Sequence, residues 1–230
     1  MRTVADVLAL LERDPGRPRL TWYGPDGERV ELSGAVLVNW VSKTTNLLVE
    51  EFDAGPGSRV RVDLPGHWRS VVWQLAAWRV GACLVDDEEE VLVTDAPPAD
   101  APGAEVVAVA LPALARRFDG GLPPGAIDAA AAVMTYGDRI GWAPAPDAAS
   151  PALETAGEVV AHADLLAPEG EPGDRVLLPA PRGARPLLAR LAADASLVLT
   201  DPTTAEALRA DPARRTRLVE TERVTHDLLG

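Results

Sequence analysis

The sequence predicts an α/β protein made of two βαβ lobes with mostly parallel sheets, and three observations carry that reading. The first is the stretch 58–85. Within residues 58–64 (SRVRVDL), Val60, Val62 and Leu64 alternate with polar neighbours, as in a half-buried strand. Pro65-Gly66 ends the strand, and His67 to Val80 follows with a helical pattern that leaves only a narrow polar stripe of Arg69, Ser70 and Gln74. Gly81 is placed to close that helix, because glycine enters the left-handed backbone region without penalty. Residues 82–85 (ACLV) then form a short apolar run of the kind buried in a parallel sheet. The second observation is the stretch 173–200: a strand over 173–179 (GDRVLLP), a helix over 184–193, and a closing strand over 196–200 (SLVLT). The third is their likeness. Both units are entered through Pro-Gly-x-Arg-Val, and both closing strands carry a Leu-Val run that stops at an aspartate, Asp86 or Asp201. A repeated βαβ pattern is an architectural signal, and each unit is expected to be right-handed.

The remaining elements are read in chain order. Val4, Val7, Leu8 and Leu11 lie on one face of a helix over 4–13, which Pro15-Gly16 stops. Residues 20–23 (LTWY) and 29–32 (RVEL) flank Pro25-Asp26-Gly27 and predict a hairpin. Ser33 is a good N-cap for a helix running to Phe52. After the first unit come five consecutive acids, Asp86 to Glu90, expected as a solvated loop. Strands are expected at 91–94 and 105–110 with a Pro/Ala linker between them, and a short helix at 127–135. Beyond the second unit, a polar helix is expected over 203–209, and residues 222–225 as a last short helix or tail. The whole chain is read as one domain over 1–230. Its first lobe covers about 1–118, a Gly/Pro/Ala-rich linker about 119–150, and its second lobe about 151–230.

Composition bounds the function. In 230 residues, 22 basic side chains face 35 acidic ones, a net charge of −13, which disfavours nucleic acid or an anionic membrane surface as partner. No run approaches the ~20 apolar residues of a membrane span. Acids at Asp6, Glu12 and Asp14 interrupt any leader-like stretch, so the cytoplasm is the expected compartment. Cys83, the one cysteine, is expected as a buried thiol. Lys43 is the one lysine, which removes lysine from almost every catalytic argument.

Glycine-rich phosphate loops, nucleophile elbows and zinc-protease motifs are absent from the sequence, and His67, His162 and His226 are too far apart for a local metal signature. No catalytic residue, metal or cofactor is therefore assigned. A candidate binding site comes instead from topology. Open α/β sheets bind ligands beyond the C-terminal ends of their strands. That rule selects His67 and Trp68 in the first unit and Arg182 and Gly183 in the second. Helix N-termini favour anions, so the expected partner is a small anionic ligand, drawn in by Arg182, or a protein; the oligomeric state is left open.

Several stretches together carry a family resemblance. Residues 20–23 (LTWY), 39–48 (NWVSKTTNLL), 56–60 (PGSRV) and 81–85 (GACLV) resemble the start of AMP-forming acyl-CoA synthetases. Residues 172–176 (PGDRV) and 192–199 (AADASLVL) resemble the strand and helix that follow the adenylation loop of that superfamily. With 65–68 (PGHW), 136–139 (YGDR) and 222–225 (ERVT), the chain more closely resembles a set of short, uncharacterised actinobacterial proteins akin to a truncated synthetase N-terminal region. The resemblance implies a synthetase N-terminal-domain-like fold over nearly the whole chain.

The departures from that family bear on activity. Synthetases carry a loop of the form TSGTTGxPKG before a Val-Val-x-x-His stretch. Here 157–162 (GEVVAH) resembles the latter, but 148–156 (AASPALETA) has neither lysine nor a glycine pair. The regions that would supply adenine and ribose contacts, and the C-terminal catalytic lysine, have no counterpart in these residues. The expected function is a non-adenylating, synthetase-like protein with a binding or regulatory role. The alternatives are an enzyme acting on an acyl, nucleotide or CoA ligand through a rebuilt site, and a structural subunit of a larger complex.

Overall fold

A computed structural model describes residues 3–100 and 103–230. Among the described residues, two mostly parallel sheets and seven α-helices make up the fold. Helix α1 (Val4–Leu11) leads into the hairpin β1 (Pro18–Tyr23) and β2 (Arg29–Ser33), turned at Asp26 with φ 55°. Ser33 caps α2 (Gly34–Phe52) by accepting from the Val36 N–H. The first repeat is β3 (Arg59–Asp63), α3 (Trp68–Val80) and β4 (Cys83–Val85). Strands β5 (Val91–Thr94), β6 (Glu105–Ala108) and β7 (Ile127–Asp128) follow, then α4 (Ala129–Ala132) with a 3₁₀ turn at Val133–Thr135. A hairpin of β8 (Pro151–Thr155) and β9 (Glu158–Ala161) precedes the second repeat, β10 (Arg175–Pro179), α5 (Arg185–Ala192) and β11 (Ser196–Thr200). The chain closes through α6 (Pro202–Ala210), α7 (Pro212–Glu222) and β12 (His226–Asp227).

Both repeats are parallel βαβ units, but each lies in its own sheet. One sheet runs β12-β10-β11-β1-β2, and the other β7-β6-β5-β3-β4-β8-β9. Among the described residues, only β1–β2 and β8–β9 are antiparallel pairs. The sheets do not follow the lobe boundaries expected near 118 and 150. The N-terminal hairpin joins the sheet of the second repeat, with Leu20 in register with Leu197. The 151–161 hairpin joins that of the first, with Leu84 in register with Leu153.

Helix α3 lies deepest. Every residue of it except Arg79 is buried, including the expected polar stripe. That stripe is no solvent face, because α1 and α2 pack against the helix together with β3 and β4. One continuous apolar core includes Leu20, Trp22, Leu197 and Leu199 from one sheet and Val60, Leu84 and Val93 from the other. On the far side of the β10–β11 sheet, Leu177 and Val198 pack with Ala205 and Leu208 of α6. The alternation along β11 accounts for both faces being covered.

Several expected elements are corrected. The helix expected over 127–135 starts two residues later, because Ile127 and Asp128 extend the sheet beside β6 and the Asp128 carboxylate then caps Ala130 N–H at 3.0 Å. The strand expected to reach Ala110 ends at Ala108. Residues 222–225 are neither a helix of their own nor a tail. Glu222 ends α7, Arg223 takes the left-handed conformation, and Thr225 N–H donates to Arg175 O, which leads into β12. Arg117 lies on an exposed bend. The Pro/Ala linker between β5 and β6 lies partly outside the described residues. No group of acids, histidines and cysteines suited to a metal occurs among the described residues, and no described helix is long and apolar enough to cross a membrane.

Candidate functional site

The strand-to-helix turns of the two repeats meet. Gly66 has no side chain, and a Cβ there would collide with the Ala180 carbonyl. Behind that contact, the buried Gln74 of α3 binds the second turn from both ends of its amide. It donates to Arg182 O at 2.6 Å and accepts from Ala184 N–H at 2.7 Å. Ala184 precedes the first turn of α5, so a side chain of the first repeat satisfies a helix-start donor of the second.

Although the turns touch, the expected site residues are divided between two clefts and the core. His67 lines a cavity of about 420 Å³ together with Trp22, Glu28, Leu111, Pro112 and Asp201. Arg182 and Gly183 line another, of about 490 Å³, with Arg61, Asp63, Glu158 and the β4 end. Trp68 lines neither cleft. Its ring is buried, with the Arg69 guanidinium 4.3 Å from its centroid and Trp40 edge-on at 5.3 Å.

His67 is the N-cap of α3, and its Nδ1 accepts from the Arg69 N–H at 3.1 Å. With Nδ1 committed as acceptor, the ring proton of the neutral imidazole is on Nε2. Burial, reinforced by the neighbouring Arg69, pushes the His67 pKa down to about 3, so the ring is neutral at physiological pH. Trp22 meets it edge-on at 4.7 Å. Arg69 is itself pushed down to about 10 by burial, against the pull of Glu28. It donates to the carbonyls of Leu111, Pro112 and Ala113, while the Glu28 carboxylate accepts from Ala113 N–H at 2.9 Å. These bonds hold the 111–113 segment in place as a wall of the His67 cleft.

The second cleft has the opposite character. Arg182 is 78% exposed and stands 3.5 Å from Asp63, which also pairs with Arg61 at 3.4 Å. Beside it, Thr155 and Glu158 face each other across the two-residue turn Ala156-Gly157 of the β8–β9 hairpin, and Glu158 pairs with Arg185. His162, just after that hairpin, is buried with Nε2 at 3.1 Å from Gly81 O, and Trp78 Nε1 donates to Ala152 O at 2.8 Å. The hairpin is therefore fastened to the first repeat. Lys43 is committed elsewhere, donating to Tyr136 O at 2.6 Å and pairing with Asp138 at 2.8 Å.

Sequence reasoning did not reach Trp22, Glu28 or Asp201, because they come from β1, the turn before β2 and the N-cap of α6, and no local spacing links them to His67. The one available signal was Asp201-Pro202, a helix-start pattern at a strand end, which the structure places at the mouth of the His67 cleft.

No family model matches the chain. Among solved structures, the acetoacetyl-CoA synthetase of Streptomyces lividans superposes with a TM-score of 0.68 at 18% identity, covering 86% of this chain and 38% of that one. A fatty acyl CoA synthetase of Mycobacterium tuberculosis gives 0.66 at 16% identity, covering 99% and 49%. The acyl-CoA synthetase of Brucella canis gives 0.66 at 18% identity, covering 90% and 48%. The fold is thus that of the N-terminal part of acyl-CoA synthetases, and the chain spans less than half the length of these structures. A protein of Mycobacterium tuberculosis described as a TIGR03089 family protein is 37% identical over 243 residues, covering 95% of this chain and 94% of its own. The chain belongs to the TIGR03089 family.

Proposed function

We propose that the protein is a non-adenylating relative of the acyl-CoA synthetases whose role is to bind a ligand or to regulate, without forming an acyl-adenylate. The observation that carries this reading is the β8–β9 hairpin. Residues 148–156, which stand where the resemblance would put the phosphate-gripping loop, are largely strand and end in a two-residue turn. Gripping a triphosphate needs several unpaired backbone N–H groups and a cation at close range. In a hairpin those N–H groups are spent on the partner strand, and the chain's one lysine is bound to the 136–138 segment.

The small anionic ligand expected from the sequence keeps its place in this reading at the Arg61–Arg182 cleft, where it would compete with Asp63 for the guanidinium groups. The test is acid-dependent exchange of labelled pyrophosphate into ATP, run with pure protein and a panel of acetate to long-chain acids. The expected result is no exchange above the protein-free control, together with a thermal shift for at least one of AMP, CoA or an acyl-CoA. Exchange that tracks the protein through purification would end the non-adenylating reading. The absence of any shift with all three ligands would end the ligand-binding form of the role.

A further inference from the structure

We propose that the His67 cleft is a binding site for a small, largely apolar molecule that carries a neutral hydrogen-bond acceptor and no negative charge, the acceptor taking the His67 Nε2–H. This adds a second site and a ligand class to the binding role proposed above, and the outcome of pyrophosphate exchange does not bear on it. The first support is a free donor. His67 is only 5% exposed, its Nδ1 is occupied by the Arg69 N–H, and its Nε2–H has no hydrogen-bond partner among the described residues. A donor at the wall of a cavity with no protein partner is open to an acceptor on a bound molecule.

Charge and shape define the rest of the ligand. Asp26, Glu28 and Asp201 line the cleft, and no arginine or lysine does. An anion placed there would meet three carboxylates, one of them the buried Asp201, whereas an uncharged acceptor meets no such opposition. The remaining walls are apolar: Trp22, Leu111 and a set of prolines. A volume of about 420 Å³ suits a molecule of one or two rings. The site is also preformed. Arg69 and Glu28 clamp the 111–113 wall, and Thr204 Oγ1 donates to Gly24 O at 3.0 Å to close the rim between β1 and α6. Ordering costs on binding are correspondingly small.

Benzamide and benzoate test this directly, because they share a shape and differ in charge. Titrations of the full chain are followed by ¹H–¹⁵N NMR. Benzamide is expected to saturate, with the shifts concentrated at Gly66, His67 and Leu111, and benzoate to bind at least about tenfold more weakly. His67→Phe keeps an apolar ring and removes the donor; it should weaken benzamide about three- to tenfold, the scale of one hydrogen bond. Glu28→Gln keeps an acceptor for Ala113 and removes a charge, and should narrow the gap between the two probes severalfold. This second variant carries the test even where His67→Phe fails to fold. Failure of benzamide to bind, benzoate binding as tightly as benzamide, shifts confined to Arg182 and Gly183, or an unchanged probe ratio in Glu28→Gln would each overturn the proposal.

Discussion

Acidification should destabilise the fold through His67. The ordinary histidine pKa is 6.5, and burial beside Arg69 lowers that of His67 to about 3 in the folded protein. The folded state therefore excludes a proton that the unfolded chain takes up readily. The resulting stability is fully present above pH 6.5 and is lost as the pH falls towards 3. At about 1.4 kcal/mol per pH unit, two units of acidification below 6.5 should cost ~3 kcal/mol from this residue alone. Carboxylates titrate in part of the same range, so the informative quantity is a difference against a variant. His67→Asn retains a side-chain acceptor for the Arg69 N–H and cannot ionise. Urea unfolding of both proteins at about pH 7.5 and about pH 4.5 should show the wild type losing ~3 kcal/mol more than the variant. In parallel, the His67 imidazole should keep its neutral Nε2–H form in ¹⁵N spectra at about pH 4.5. Identical pH dependence of the two proteins, or a His67 ring that protonates near pH 6, would refute the reasoning.

Three further outcomes follow from the geometry. Gln74→Leu preserves volume but strands Arg182 O and Ala184 N–H, and should cost ~2–4 kcal/mol; calorimetry should show the midpoint falling by about 5–15 °C, and an unchanged midpoint would refute the coupling of the two repeats. Glu222 is buried, which opposes its ionisation, but hydrogen bonds from Tyr23, Arg175 and Arg29 outweigh burial and hold its pKa below the ordinary 4.5. Its contribution is therefore present above pH 4.5 and lost as the pH falls below it, and Glu222→Gln, weaker by ~2–3 kcal/mol at neutral pH, should lack that acid step in an unfolding series. Arg182→Ala should change stability by less than about 0.5 kcal/mol, as exposed ion pairs do, yet weaken an anionic ligand by ~1.5–3 kcal/mol in calorimetric titration; the same change at the exposed Arg117 should do neither.

Local chemistry was readable where it depended on neighbours in the chain. Ser33 and Gly81 bound their helices as expected, and both βαβ units took the order their periodicity implied. Partnership between distant segments was not readable. Arg69, Ser70 and Gln74 could be read only as a narrow polar stripe because their partners, at 111–113 and 182–184, are far off in sequence. Helix α7 escaped because residues 212–222 bury only Glu222, and that through hydrogen bonds and ion pairs that no hydrophobic pattern reveals. The site divided for the same reason. The strand-end rule placed His67 and Arg182 at strand-to-helix turns, but β1, the β1–β2 turn and the start of α6 close one cleft while β4 and β8 close the other.

The exchange of hairpins between the sheets has a consequence during synthesis. Strand β1 is made early and is buried against β11, and the same junction is clasped by Arg17 and Asp194, which are 177 residues apart. At roughly 5–20 residues per second, β1 waits on the order of 10–35 s on the ribosome before its partner emerges. For that interval Leu20 and Trp22 have no sheet to enter, and the first repeat already has α3 to cover. A nascent chain arrested before residue 196 should be open to protease at the hairpin and held by chaperones, and one released after residue 200 should become resistant in a single step. Severed between β9 and β10, the C-terminal part lacks β1 and β2 of its sheet, so it should fold only when the N-terminal part is added.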